Sequence, residues 1–263
     1  MKALRTILRK LQGVLELLNL LETEFKKIKR QKFILCTILA ACLFPVPLTI
    51  LIVHTKLRYD VLFMFVMEFG FFLVLPIVIG IIATILFRME KENGTLKNLS
   101  IIPVSKWKLF SAKVLVVYIL AALYGITAIG AIALGGVFVG DASDIPLKLV
   151  TAFVLSVLIA TASLPLMVVI VVFQRNFILP VLCSVVYAIV SFSFSIMMLK
   201  VPVPLTLLFR GSLPFLSAYS ERMEQVSNVM DWTLPVFPCI MLLLGIGVVC
   251  MMLSAYFYQK QEV

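Results

Sequence analysis

Six long apolar runs constrain the fold of this chain more than any other feature of its sequence. Each run is about as long as the 20 residues that an α-helix needs to cross the hydrocarbon core of a bilayer, or longer. The runs lie at roughly 33–53, 61–87, 112–139, 147–174, 177–199 and 235–258. They lack the polar and apolar alternation of a membrane barrel strand, so helices must satisfy the backbone. The predicted fold is an all-α polytopic membrane protein with six transmembrane helices.

The composition leads to the same class. Hydrophobic residues make up 62% of the 263 residues and charged residues 14%, and the mean hydropathy is +1.14. A soluble core of this size does not use so much apolar material. We therefore predict an N-terminal segment, 1–32, followed by one membrane domain, 33–263.

The distribution of lysine and arginine predicts the orientation. With six spans and the N-terminus inside, 17 of the 23 basic residues fall on the cytosolic side, in 1–32, in 88–113, and at Arg175 and Lys260. The positive-inside rule then places both termini in the cytosol. The basic balance is explained by topology and by contact with anionic membrane lipid, so nucleic acid is not an expected partner.

The N-terminal segment has the pattern of an amphipathic helix. Over residues 1–22 the leucines, isoleucine and valine recur at three- and four-residue steps, with polar side chains on the opposite face. We expect this helix to lie at the cytosolic interface, with the basic residues of 26–32 as an anchor before the first span. The alternative is a soluble helix packed on a partner.

The connection 200–234 is the longest predicted external loop, and its first half is unusually apolar. Between Val201 and Leu216, prolines interrupt a series of large apolar side chains. This pattern predicts a re-entrant hairpin in the outer leaflet, and a loop lying on the outer surface is the alternative. Leu207, Phe209 and Phe215 are the candidate residues of an external gate.

Glu68 is the one acidic residue well inside a predicted span. A carboxylate at that depth is costly unless it is paired, protonated or hydrated. Glu68 is therefore a candidate for the substrate path. A protonated glutamate that is hydrogen-bonded across a helix interface is the structural alternative.

The sequence offers little material for catalysis. His54 is the single histidine, placed in a predicted external turn, and the five cysteines fall inside predicted spans without a Cys-x-x-Cys pair. A phosphate-binding Gly-x-x-x-x-Gly-Lys-Ser/Thr motif is also missing. We predict neither a catalytic site nor a metal site, and no cofactor bound by this chain. If nucleotide energy is used, another subunit must bind the nucleotide.

The charged segment 88–113 separates the second and third predicted spans. Its pattern is acidic-x-acidic-x-Gly-Thr-Leu-x-x-Leu, then Pro-Val-Ser-Lys, then a basic residue at Lys113 that opens the next span. Gly94 allows a tight turn, and the two acidic residues are expected to cap the helix that follows. Two leucines give that helix an apolar edge, which a proline then ends. The candidate coupling residues are Glu90, Glu92, Gly94, Thr95, Leu96, Leu99, Pro103, Ser105 and Lys106.

This pattern resembles the cytosolic insert between spans two and three of ABC-2 type exporter permeases. The resemblance implies that the segment is a coupling helix seated on a separate ATP-binding cassette ATPase, which holds ATP and Mg²⁺. It also implies that a second permease copy or paralogue completes the transporter. The alternative for the segment is an ordinary amphipathic loop on lipid.

The chain is also similar to the small self-protection permeases that export lantibiotics or bacitracin. That likeness implies a multi-pass protein of a bacterial cell membrane, not itself an enzyme, which exports a hydrophobic or amphiphilic substrate. Two other classes stay open. One is a proton-coupled secondary transporter that uses Glu68, and the other is a membrane enzyme or assembly factor without an ATPase.

Overall fold

The computed structural model describes residues 18–28, 36, 39–40, 43–55, 59–92, 106–139, 145–174, 176–197, 199–217 and 232–260. Within these ranges the regular structure is entirely helical. The first helix, α1, covers 18–28. The others are α2 (Pro45–Thr55), α3 (Tyr59–Phe65), α4 (Leu75–Glu92), α5 (Lys106–Val139), α6 (Ile145–Ala162), α7 (Leu164–Val172), α8 (Ile178–Ile196), α9 (Pro204–Ser217) and α10 (Val236–Lys260). A π-helix, Val66–Val74, joins α3 to α4.

Five helical stretches among the described residues are long and apolar enough to cross a membrane. They are Val61–Met89, Lys106–Gly136, Ile145–Ala162, Ile178–Ile196 and Val236–Lys260, and they match the second to sixth predicted runs. The predicted all-helical, multi-pass class is therefore confirmed. Of the predicted first span, 33–53, the structure describes mainly the short helix α2, so the count of six stays a prediction. His54 lies in the last turn of α2, and not in the predicted turn.

Contacts between side chains show that the long helices alternate in direction. The connection 93–105 joins α4 to α5, and we call this end of the bundle the insert end. There the Arg88 guanidinium lies 5.3 Å from the centre of the Phe177 ring, at the start of α8. At the opposite end, the Lys148 ammonium lies 5.7 Å from the centre of the Phe63 ring, which joins the beginnings of α6 and α3.

Helices approach one another closely where glycine faces a small side chain. A Cβ added to Gly80 in α4 would lie 2.1 Å from the Ser184 hydroxyl oxygen in α8. A Cβ on Gly125 in α5 would lie 2.9 Å from the Ser156 side chain in α6. Small residues let the two backbones come together, which is how helices gain packing energy where lipid removes the hydrophobic driving force.

The second predicted span is one continuous helix, 59–92, with a π-helical segment in its first half. The Leu75 amide donates to the Gly70 carbonyl, five residues back, as a π-helix requires. Pro76 follows directly and has no amide hydrogen to donate to the preceding turn. The widened turn accommodates that proline inside a long apolar helix.

The fourth predicted span is interrupted at Ser163, which separates α6 from α7. Pro165, at the start of α7, cannot donate to the preceding turn, and the Leu166 amide bonds to the Ser163 carbonyl at 3.0 Å. Two tyrosines from other spans contact the break. The Tyr187 hydroxyl donates to the Ala162 carbonyl at 2.7 Å, and the Tyr118 hydroxyl is 3.0 Å from the Thr161 hydroxyl oxygen.

The segment Val201–Leu216, for which the sequence predicts a hairpin, contains a single helix, α9. Pro204 opens this helix, a position where the missing amide hydrogen has no cost. Pro214 cannot donate to the Arg210 carbonyl, and the Leu234 amide donates to it instead at 3.3 Å. The residues before α10, 232–235, which we call the return segment, therefore supply the hydrogen bond that Pro214 cannot donate to the Arg210 carbonyl.

Candidate site for coupling at the insert end

The structure describes only the flanks of the predicted coupling segment. Gly94, Thr95, Leu96, Leu99, Pro103 and Ser105 lie outside the described residues. Glu90 and Glu92 belong to the last turn of α4, and Lys106 opens α5. The acidic pair therefore ends one helix, which differs from the predicted capping of the next one.

Three aromatic rings join the two flanks of the insert to the last helix. The rings of Phe87 in α4, Phe110 in α5 and Tyr258 in α10 are all buried, with centroids 5.7–5.8 Å apart in each pair. Aromatic pairs at this spacing contribute about 0.5–1.5 kcal/mol each beyond the area that they bury. The end of α4, the start of α5 and the end of α10 are thus packed as one unit.

Lys113 lies beside these rings and is completely buried, with 0% of its surface exposed. Its ammonium donates to the Leu86 carbonyl oxygen in α4 at 2.8 Å. It also donates to the Glu24 carboxylate in α1 at 3.3 Å and lies 5.6 Å from the centre of the Phe87 ring. One side chain of α5 therefore connects α4 and α1.

Glu24 is the matching buried charge, with 1% of its surface exposed. Its second carboxylate oxygen accepts a hydrogen bond from Lys27, one turn further along α1. Ile28 is also buried, so the last two turns of α1 rest on the bundle. We call Glu24, Leu86, Phe87, Phe110, Lys113 and Tyr258 the insert-end cluster.

The sequence contained a signal for this cluster that we did not interpret. Lys113 stands inside the apolar run 112–139, and a lysine within such a run needs a partner. The sequence pattern uses Lys113 for topology and as the basic residue that opens the third span, and it predicts no contact for the side chain. The identity of that partner, Glu24, is not readable from the sequence, because 89 residues separate the two side chains.

Lys106, the last predicted coupling residue, is exposed at the insert end. Its ammonium donates to the Gln259 carbonyl oxygen at 3.2 Å. That carbonyl lies in the final turn of α10, where the helix dipole favours a cation. The flank of the insert and the end of the last helix are therefore joined a second time.

Glu68, the predicted substrate-path residue, lies in the π-helix and is half-buried. Within the part of the chain that the structure describes, its carboxylate makes no hydrogen bond or ion pair. The rings of Phe65 and Phe69 on the same side are exposed, and Phe69 packs 5.3 Å from Phe192 of α8. The structural alternative, a glutamate hydrogen-bonded across a helix interface, is not what this arrangement shows for the described residues.

The predicted gate residues divide into two buried side chains and one exposed side chain. Leu207 and Phe209 are buried, and the Phe209 ring packs edge-on against Phe72 of the π-helix at 4.8 Å. Phe215 is exposed. It lines an apolar cavity of about 260 Å³ between α6, α9 and α10, whose other walls include Val154, Leu158, Leu208 and Cys239.

Arg210 fastens α9 to the return segment. It is 8% exposed, its Nε donates to the Trp232 carbonyl at 2.8 Å, and its guanidinium lies 5.4 Å from the centre of the Trp232 ring. Sequence reasoning had placed Arg210 in an external loop. Its burial means that α9 and the start of α10 form one packed layer.

Comparison with known proteins adds the family. A search among curated proteins found no match. The profile of the ABC-2 family transporter protein, in contrast, matches residues 20–191, which is more than half of the 263 residues. The matched range begins in α1 and ends in α8, so it contains the insert, Glu68 and most of the insert-end cluster. This chain therefore belongs to the ABC-2 family of transporter proteins, whose members are membrane permeases that work with a separate ATPase.

Proposed function

We propose that this chain is the permease subunit of an ATP-driven exporter and that the insert 93–105 docks an ATP-binding cassette ATPase. The observation that carries the proposal is the insert-end cluster. It packs both flanks of the insert against the end of α10 and against α1. A close-packed cluster transmits displacement, because interiors of this density have low compressibility. Movement of a docked ATPase would therefore reach three spanning helices at once.

The position of the acidic pair supports a docking role. Glu90 and Glu92 belong to the last turn of α4, directly before the insert. Two acidic residues at this point of the sequence would suit a basic groove on a partner. The ATPase, and not this chain, would bind ATP and Mg²⁺.

We place the insert end on the cytosolic side of a bacterial cell membrane. Arg88 and Lys106 lie at the insert end, and both belong to the basic segment 88–113. The other basic segment, 1–32, contains α1, whose Glu24 contacts Lys113 at the same end. Lysine and arginine are concentrated in the cytosolic connections of membrane proteins. Both termini would then be cytosolic, α9 would lie at the outer face, and α1 would lie at the lipid interface.

A second permease copy or paralogue would complete the transport path at Glu68. The half-buried Glu68 carboxylate has no partner among the described residues, and such a carboxylate is costly against lipid. Glu68 lies about 10 Å along the helix from Val61, where the span begins. Association of two permeases would place Glu68 in a shared, hydrated path. The exposed rings of Phe65 and Phe69 would contact an amphiphilic substrate there.

The substrate we propose is a hydrophobic or amphiphilic molecule taken from the membrane, with an antimicrobial peptide such as bacitracin or a lantibiotic as the first compound to test. The 20 phenylalanines and 12 methionines of the chain suit an adaptable apolar surface. ATP would drive export only by binding the two states of the transporter with unequal affinity.

Replacement of Leu96 and Leu99 by aspartate tests the docking role. The tagged permease is expressed with its genomic neighbours, and the ATP turnover of the purified material is measured. We expect the double variant to insert normally and to lose the ATPase, because two carboxylates would replace the apolar edge. Asn98→Asp is the matched control, since it adds a charge to the same segment outside that edge. Recovery of the ATPase in normal amounts from the double variant would contradict the proposal.

A proton-coupled transporter is the second candidate. The observation that favours it is the Glu68 carboxylate, which makes no hydrogen bond or ion pair with the part of the chain that the structure describes. The two candidates differ in their energy source. Export that persists without any ATPase and stops when a protonophore collapses the proton gradient would select the second candidate.

A further inference from the structure

We infer that the Glu24–Lys113 pair is a mechanical link that makes α1 part of the coupling apparatus. The inference rests on the proposed function, since it requires an ATPase that displaces the insert. Lys113 and Glu24 act here as positioning residues. They hold helices in register and do not contact substrate.

The geometry places Lys113 where three segments meet. Its ammonium bonds the Leu86 carbonyl of α4 at 2.8 Å and the Glu24 carboxylate of α1 at 3.3 Å, while its backbone belongs to α5. Residues 87–92 and 106–112 separate these contacts from the insert on its two sides. Any change in the distance between the flanks must therefore act on the position of α1.

Glu24 is prepared for this contact by its own helix. Lys27, three residues later in α1, bonds one carboxylate oxygen and leaves the other oxygen directed at Lys113. Two cations on one carboxylate fix the orientation of that side chain. A site held in this way transmits a small displacement, whereas a loosely held side chain absorbs it.

Stability alone does not account for a buried ion pair at this position. Replacing such a pair with apolar residues of similar volume is often neutral or stabilising, while removing one partner leaves a buried charge unpaired. The pair does provide a defined register between helices. This difference also supplies a test, because the single and double substitutions are expected to act in opposite directions.

The first measurement uses the purified permease alone and follows amide hydrogen exchange in residues 18–28. Glu24→Met takes the carboxylate away from the buried Lys113 ammonium, and Lys113→Met leaves the buried Glu24 with Lys27 on one oxygen only, so we expect exchange in α1 to rise by about tenfold or more in each. The double variant, Glu24→Met with Lys113→Met, removes both charges and should restore protection. Glu22→Lys is the matched control on the same helix. The Glu22–Lys26 pair is exposed, and the hydrogen bond from Lys26 lowers the pKa of Glu22, so its loss should leave the exchange of α1 unchanged.

The second measurement uses the complex of the permease with the ATPase that copurifies with it. The non-hydrolysable analogue AMP-PNP is added with Mg²⁺, and the change in hydrogen exchange of α9 is recorded per bound ATPase. We expect AMP-PNP to alter α9 in the wild type and in the control variant. The effect should be lost in each single methionine variant, with the ATPase still bound, and should return in the double variant.

The outcomes separate the inference from the proposed function. A wild-type complex that does not form, or in which AMP-PNP leaves α9 unchanged, contradicts the proposed function and the link together. A wild type that responds, beside single variants that respond equally, overturns the link alone. Single variants with unchanged exchange in 18–28 overturn it as well, because α1 would then be held by other contacts.

Discussion

At the scale of single residues, buried cations identify where distant parts of the chain are joined. Lys113 joins α1, α4 and α5, and Arg210 joins α9 to the segment before α10. Lys148, 1% exposed, lies against Phe63 of α3, in the second predicted span. The sequence analysis uses all three as positive charges for orientation, and Lys113 also as the end of the coupling pattern, but it predicts no tertiary contact for any of them. A lysine or arginine beside an apolar run therefore predicts a tertiary contact in addition to a topology.

Glu68 gives the first prediction at this scale. Glu68→Gln keeps the shape and the hydrogen bonding of the side chain and removes its charge. In the proposed transporter, a contact between substrate and the charged carboxylate would contribute about 1.5–3 kcal/mol, so we expect the ATP turnover that the proposed amphiphilic substrate stimulates to fall by about ten- to a hundredfold. Glu68→Asp, which keeps the charge, should retain much of the turnover. Unaltered turnover in Glu68→Gln would exclude a role based on charge.

Gly80 gives the second prediction. Alanine here would place its Cβ 2.3 Å from the Ser184 Cβ, so α4 and α8 must separate. We expect Gly80→Ala to cost about 1–3 kcal/mol, measured as a lower melting temperature of the purified permease. Ser184→Gly should restore stability in the double variant, because it removes the atoms that clash.

The matched control for this prediction is Gly130→Ala, since a Cβ on Gly130 meets nothing within 4 Å. Alanine is the better helix former by about 1 kcal/mol, and the control should therefore keep or raise the melting temperature. A Gly80→Ala protein as stable as this control would show that the two helices adjust without cost.

At the scale of elements, the interruption of the fourth span is the feature whose effect on the free energy of unfolding follows most directly from its hydrogen bonds. The first part, α6, packs along α5, whereas the second part, α7, packs along α10. Ser163 therefore lies between two sets of contacts. The group that satisfies the freed Ala162 carbonyl, the Tyr187 hydroxyl, comes from α8, and Tyr118 of α5 contacts the Thr161 side chain beside it.

These tyrosines give the third prediction. Tyr187→Phe removes the donor to the Ala162 carbonyl, which then has no replacement because the Leu166 amide is already bonded to Ser163. We expect a loss of about 1–3 kcal/mol, the cost of leaving a buried acceptor unsatisfied. Tyr118→Phe is the comparison. Thr161 still donates to the Val157 carbonyl in that variant, so its melting temperature should fall less. Equal losses would contradict the assignment of Tyr187 as the group that satisfies the break.

The elements themselves were largely predictable, because hydropathy decides where a chain can cross a bilayer. The second to sixth runs each contain a helix of the structure. The boundary differs at α5, which begins six residues before its predicted run. The basic side chains of Lys106 and Lys108 are compatible with a helix end as well as with a loop, so hydropathy alone does not locate this boundary. The prolines of 201–216 predict breaks, but Pro204 starts α9 and Pro214 lies inside it, where the Leu234 amide bonds the Arg210 carbonyl that this proline leaves free. Sequence order alone does not distinguish these positions from breaks. The resemblance predicts the coupling site. The buried contact between this site and α1 was not predictable, because Glu24 and Lys113 are far apart in the sequence.

At the scale of the whole molecule, large apolar side chains remain exposed on several helices. Those of α10 alone include Phe237, Met241, Leu242, Val248, Val249 and Met252. Exposed apolar surface of this extent is expected of helices that face lipid or another membrane subunit. The polar interactions described above lie inside the bundle or at its ends, which is the arrangement that a bilayer requires.

The external layer gives the fourth prediction. Single cysteines at Leu207, Phe215 and Ser227 are introduced in a background in which the five native cysteines are replaced. A charged, membrane-impermeant maleimide should react slowly at the first two positions, since Leu207 is buried and Phe215 lines an apolar cavity. Ser227, in the polar part of the connection, should react rapidly. Equal and rapid reaction at all three positions would mean that α9 lies in water and does not close an exit.

The π-helix also has a consequence for how relatives of this chain should be aligned. A π-helical turn has the hydrogen bonding of an α-helix into which one extra residue has been inserted. Loss of one residue between Val66 and Val74 would keep the span apolar and long enough to cross a bilayer. It would, however, rotate everything before the deletion by about 100° relative to α4. A homologue with a one-residue gap at this point would therefore direct its equivalent of Glu68 toward a different neighbour, and matching hydropathy would conceal the change.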